Sequence, residues 1–125
     1  MRTILGIAVL GAVGALARNG LDGWVANRTG GSFPWGTLVI NASGCFLLGL
    51  VYTLLTDRYA IDASLRFALT TGFLGAYTTF STFSLETVGL LQQGRGPAAL
   101  TNVGLSLLLG LGGAYAGILV ARTVP

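Results

Sequence analysis

Four apolar runs, each at least as long as the ~20 residues that a helix needs to cross a ~30 Å hydrocarbon core, take up almost the whole chain: residues 3–26, 33–56, 64–93 and 98–121. The joints between them are short and carry turn residues, from Asn27 to Ser32, from Asp57 to Asp62, and across Gly94-Arg95-Gly96-Pro97. Runs joined this tightly predict an all-α membrane protein, one transmembrane domain over 1–125 with four transmembrane helices running up, down, up and down. The composition suits lipid as a solvent. Only 9% of the 125 residues are charged, against about 25% in soluble domains. Arg2, the run from Ile4 to Val13 and the Ala15-Leu16-Ala17 triplet imitate a cleavable signal peptide. Gly6, Gly11 and Gly14 argue instead for a helix-packing face, and the first run is read as a retained span.

What the chain lacks removes several kinds of chemistry. It has no Lys and no His, so Schiff-base catalysis, a His-containing triad and imidazole metal ligation are excluded. Cys45 is the one cysteine, which rules out an intrachain disulfide and a thiolate metal cluster. No nucleophile–base pair stands out, leaving enzyme function with the least support. The net charge of +3 comes from seven Arg against four acids. They are scattered, so no nucleic-acid surface is expected. Alternating spans put Arg2, Arg58, Arg66 and Arg122 on one side of the membrane and Arg18, Arg28 and Arg95 on the other. A bias that slight barely sets an orientation. Insertion both ways round, together with helices too few to enclose a path alone, points to an antiparallel, dual-topology homodimer. Gly113-x-x-x-Gly117 offers a close helix contact.

Polar groups inside a span are costly in hydrocarbon, and the third span concentrates them between Thr70 and Thr87. Gly72, Gly75 and the Thr78-Thr79 pair weaken the helix there, predicting a break in mid-span. Carbonyls freed by such a break can bind a cation. Beyond it, Phe80 and Phe83 share one side of the resumed helix, Thr82 and Glu86 another. From spacing alone the two Phe fit ordinary core packing, and the Thr and Ser hydroxyls fit back-bonding to preceding carbonyls. Glu86 is either an interfacial carboxylate or part of a pathway. Asn41, one turn after Thr37 in span two, lies deep enough to need a partner; an interhelical hydrogen bond, worth about 0.6 to 2 kcal/mol, is the simplest one. Asn102 and Ser106 begin a similar face in span four, which fades at Gly110. Arg18, roughly 24 Å along span one, is either snorkelling at the far interface or an electropositive lip. Asp22, one turn later, is placed to neutralise it.

Three stretches carry a family likeness: Gly14-Ala15-Leu16-Ala17-Arg18, then Gly36-Thr37-Leu38-Val39-Ile40-Asn41-Ala42-Ser43-Gly44-Cys45-Phe46, then the run from Gly72 to Phe83. They resemble the signature stretches of the Fluc fluoride channels, also called CrcB proteins, and the resemblance spans the chain in length, span count and motif order. It implies passive, fluoride-selective efflux across the plasma membrane through two pores of an antiparallel homodimer. It also implies a structural sodium ion at the dimer interface, held by main-chain carbonyls that fall on Gly75 and Thr78. By motif position, Phe80 and Phe83 resemble the aromatic pair that lines the fluoride path with ring edges. Asn41, Thr37, Ser81, Thr82, Glu86 and Arg18 resemble its polar lining. Span four departs from the pattern: Asn102, Ser106 and Gly110 stand where many members carry a Tyr and two Ser, and Asn102 and Ser106 are kept as path candidates.

Fluoride is small and strongly hydrated, so a selective pore must replace water with many weak donors. Two other classes compete. A small multidrug-type exporter needs a membrane-embedded carboxylate, and span one has none before Asp22. A non-transport scaffold would have no use for an aromatic pair beside a broken helix.

Overall fold

The computed structural model describes residues 1–59 and 61–125, with Arg58 described by its backbone alone. The Arg58 side chain, counted above among the loop charges, thus lies outside the described residues. Helices α1 (Arg2–Thr29), α2 (Trp35–Thr53) and α6 (Gly96–Thr123) run unbroken. Between α2 and α6 the chain is built in pieces: π1 (Leu54–Arg58), α3 (Ala63–Phe67), π2 (Ala68–Leu74), α4 (Gly75–Tyr77) and α5 (Phe80–Gln92). No strand occurs among the described residues. Three helices are long and apolar enough to cross a membrane: Arg2–Thr29, Trp35–Asp57 and Gly96–Thr123. The expected third span is present as well, interrupted at Thr78 and Thr79.

Local chemistry accounts for the helix ends. Gly30, with φ 72°, closes α1 in the left-handed conformation that glycine adopts without steric cost. Pro34 sits at the N-cap of α2, where its fixed φ of −76° is compatible with helix entry. The Asp62 carboxylate accepts the Ser64 N–H at 3.0 Å and starts α3. Pro97 lies in the first turn of α6, where its missing N–H costs nothing. Near the α1–α2 joint the Arg28 guanidinium lies 3.8 Å over the Trp24 ring. Trp35 packs on Phe33 close by, with ring centroids 4.8 Å apart. Aromatic and basic groups at one end of a bundle suit a membrane interface.

The packing is inverted relative to a soluble bundle. Large apolar side chains such as Ile4, Leu16, Leu108 and Leu111 face outward, whereas Thr37, Thr53, Thr79 and Asn102 are buried. Water does not drive these helices together, so close contact between small residues must. The most extensive contacts are α2 with α6 and α1 with π2. At the first seam a methyl group on Gly117 would run into the Phe46 carbonyl, and one on Gly49 into the Ala114 carbonyl. The Gly113-x-x-x-Gly117 pair therefore serves a contact within the chain, against α2. At the second seam a methyl group on Gly14 would meet the Phe73 carbonyl, and one on Gly6 would lie 3.0 Å from the Ala68 Cβ. Gly6, Gly11 and Gly14 of α1 thus form a packing face against the third span.

The expected break in mid-span is present, just before Phe80. Gly72 lies within π2, where the α-helical ladder is already lost, and Gly75 begins α4 with helical φ −65°. Gly72 also serves the approach of α1, since a Cβ there would sit 3.0 Å from the Ile7 backbone. The break falls on the two β-branched residues, Thr78 (φ −82°, ψ 159°) and Thr79 (φ −151°, ψ 114°).

Overpacking of this kind costs about 1–3 kcal/mol, so Gly117→Ala is expected to lower the melting temperature in detergent micelles. Gly20→Ala, whose added methyl meets nothing, removes a mid-helix glycine and is expected to stabilise by about 0.5–1 kcal/mol. Equal effects at both positions would contradict the seam assignment.

Candidate functional site

Extended backbone inside an apolar bundle leaves peptide groups without helical partners, and each must find another. Thr79 places all of its polar groups. Its N–H donates to Asn41 Oδ1 at 2.7 Å, and its carbonyl accepts from Asn41 Nδ2 at 2.9 Å. Its hydroxyl oxygen accepts the Thr82 N–H at 3.2 Å, capping α5, and donates to the Thr82 hydroxyl at 2.9 Å. The partner that Asn41 needs is therefore the backbone of the break.

Two carbonyls are released by the same arrangement. In a continuous helix the Thr79 N–H would close on the Gly75 carbonyl and the Thr82 N–H on the Thr78 carbonyl. Asn41 takes the first donor and the Thr79 hydroxyl takes the second. Just before the break, Tyr77 is buried, stacks on Phe73 at 6.0 Å, and meets Ser43 of α2 through its hydroxyl at 2.9 Å. Thr78 uses its own N–H and hydroxyl on the Leu74 carbonyl, both at 3.1 Å.

Cavities open on either side of Thr79, which lines both. The first is bounded by Asn41, Cys45, Phe80, Phe83, Ser106 and Gly110. Phe80 and Phe83 stand 5.6 Å apart with rings inclined at 48°, and Phe80 is 79% exposed. The second cavity is polar, walled by Arg18, Asn19, Asp22, Thr37 and Thr82. A third lies at the α1–α2 joint, lined by Glu86, Gln93 and Arg95 among others. Glu86 connects the second and third, since Thr37 donates to its Oε1 at 2.9 Å. The other oxygen, Oε2, is buried with no hydrogen-bond partner among the described residues.

Hydrogen-bond direction decides what each hydroxyl can still do. Thr37 has given its proton to Glu86 and turns only lone pairs elsewhere. Thr82 accepts from Thr79 and keeps its own proton to donate. Ser81 is exposed and lies 3.3 Å from the Thr79 hydroxyl.

The structure gathers Asn41, Phe80, Phe83 and Ser106 around one cavity and Arg18, Thr37 and Thr82 around the next. Asn102 does not join them. It is 1% exposed, wedged between α5 and α6, and donates to the Thr87 hydroxyl at 2.9 Å. Thr87 in turn donates to the Phe83 carbonyl at 2.7 Å. Asn102 is thus a packing hydrogen bond rather than a cavity wall, because it lies one turn before Ser106, level with Thr87. Asp22, expected to neutralise Arg18, sets its carboxylate against Gly36 in the first turn of α2, where any Cβ would collide with it. A carboxylate there meets the positive end of the helix.

Thr79 was missing from the candidate residues. The signal lay in the sequence: a Thr three residues before another polar residue, ahead of an apolar run, is an N-cap pattern.

Comparison with known proteins follows the same residues. The family described as "CrcB-like protein, Camphor Resistance (CrcB)" matches residues 5–118. A protein of Geobacter sulfurreducens named "Fluoride-specific ion channel FluC" is 50% identical over 122 residues, covering 98% of each chain. Proteins with the same name from Solidesulfovibrio magneticus and Citrifermentans bemidjiense are 46% and 47% identical. They cover 94% of both chains and 99% of this chain with 100% of the relative, respectively.

Thr87→Val strands the buried Asn102 amide and is expected to lower unfolding stability by about 1–3 kcal/mol. Thr101→Val, which removes an exposed back-bond to Pro97, is expected to leave it unchanged. Chemical denaturation in micelles compares the two.

Proposed function

The chain belongs to the CrcB family, and from that premise we propose that it is a fluoride-selective channel, letting fluoride leave passively across the plasma membrane. The observation that carries this reading is Thr79 as a common wall between an aromatic cavity and a polar one. A strongly hydrated anion needs a series of weak donors in place of water. The residues supply them in sequence: the positive edges of Phe80 and Phe83, the Ser106 hydroxyl, then the unspent proton of Thr82. Arg18, on the wall of the polar cavity, raises the local anion concentration. Glu86 extends the polar lining toward the α1–α2 joint, and Ser81 adds a hydroxyl beside that of Thr79.

A single chain leaves the first cavity open and Phe80 bare. A second, antiparallel copy would close both, giving two paths per dimer, and the near-balanced arginines favour that arrangement. The Gly75 and Thr78 carbonyls suit a structural sodium ion, since both have lost their helical donors and main-chain oxygens of unwound helices are sodium ligands. Bound there, sodium would neutralise carbonyl charge at the dimer interface.

The deciding experiment is efflux from liposomes loaded with fluoride or chloride and read by ion-selective electrodes. Fluoride is expected to leave rapidly and chloride negligibly; movement of neither from folded dimeric protein would refute the channel. Phe80→Ile or Phe83→Ile is expected to cut fluoride efflux roughly tenfold, equivalent to ~1.4 kcal/mol on the barrier, with the dimer intact on size exclusion. Arg18→Gln is expected to cost a few-fold, a loss that shrinks at high salt as the field is screened. Replacing sodium by a large organic cation is expected to weaken the dimer.

A further inference from the structure

The bonds between Asn41 and Thr79 have a property that an ordinary interhelical hydrogen bond lacks. One side-chain amide meets both the N–H and the C=O of one residue, at 2.7 and 2.9 Å. In an extended residue these two groups point the same way, as between paired residues of antiparallel strands. In a helical residue they point in opposite directions along the axis. A single amide can therefore grip Thr79 only while Thr79 is extended, as it is at φ −151°, ψ 114°. The backbone also dictates which end of Asn41 is oxygen, since a flipped amide would set donor against donor and acceptor against acceptor.

We propose that Asn41 is a positioning residue. It selects the extended state of Thr79 and acts on conduction through that backbone. A group that binds one of two conformations shifts their populations by its differential affinity. With the grip in place, the Gly75 and Thr78 carbonyls stay out of the helical ladder. Thr79 stays free to cap α5, and α5 begins where Phe80, Phe83 and Thr82 reach their cavities. Without it, Thr79 passes between extended and helical backbone, its N–H is repeatedly left without an acceptor, and everything downstream loses its fixed register.

The test uses the full-length chain with Thr79 replaced by its α-hydroxy acid analogue. That turns the N–H donor into an ester oxygen and leaves every side chain unchanged. The ester alone and Asn41→Ala alone are each expected to lower fluoride efflux roughly tenfold, the effect of about one hydrogen bond. The two together are expected to lower it no further than about twofold below the weaker single variant, because residues acting as one unit are non-additive. A silent ester, or losses that multiply, would overturn the proposal, since an asparagine that acts only from the cavity wall is indifferent to the Thr79 N–H. Should Asn41→Ala fail to assemble, Asn41→Asp replaces it in the cycle. It keeps the volume and the acceptor but sets a lone pair against the Thr79 carbonyl, and the same non-additivity is expected.

The efflux arm rests on the fluoride reading, and amide hydrogen exchange supplies an arm that does not. In Asn41→Ala the Thr79 amide is expected to exchange at least tenfold faster, with the Leu90 amide in mid-α5 unchanged. Unchanged exchange at Thr79, or equal acceleration along α5, would overturn the proposal. Faster exchange confined to Thr79 in a protein that moves no fluoride would uphold the grip and fault the choice of ion.

Discussion

A peptide group in hydrocarbon has no water to fall back on, and leaving it unpaired costs several kcal/mol. Everything distinctive here depends on how the chain meets that demand where the third span stops being a helix. Asn41 supplies both missing partners of Thr79, and the Thr79 hydroxyl supplies one for Thr82. The interruption is thereby satisfied from within the protein. Two carbonyls are released, α5 is restarted in a new direction, and Thr79 becomes a wall common to two cavities. The functional residues belong to no single helix. They come from α1, α2, α5 and α6, held together because the helices touch through glycine.

Much of this was legible in the sequence, for reasons that differ from residue to residue. The helices follow from run length and the cost of unpaired peptides, and the face of Gly6, Gly11 and Gly14 from the rule that small residues let helices approach. The break before Phe80 was legible as well, but the share of each residue in it was not, because glycine both loosens a helix and permits close packing. At Gly72 the second role prevailed, and two threonines carry the extended backbone. Spacing put Asn102 and Ser106 on one face, one turn apart. A turn is 5.4 Å, enough for Ser106 to line a cavity while Asn102 is sealed between α5 and α6. The direction of Asp22 and the grip of Asn41 on a backbone 38 residues away depend on tertiary contact and leave no trace in local pattern.

Span four meets the aromatic cavity through Ser106, Leu107 and Gly110. Gly110 faces Cys45, whose sulfur would lie 3.7 Å from a Cβ at that position. Both residues line the aromatic cavity, so glycine leaves open space beside a thiol there. Cys45 and Ser106 share that rim.

The glycine seams carry a mechanical consequence. Where the Phe46 carbonyl occupies the place of a side chain at Gly117, and the Phe73 carbonyl does the same at Gly14, the helices have no cushion of flexible side chains over which to slide. A carrier that alternates between two openings must shear its helices past one another. Backbones locked at this range resist shear, while a small ion can still move through a fixed opening. Such a frame suits throughput without a working cycle.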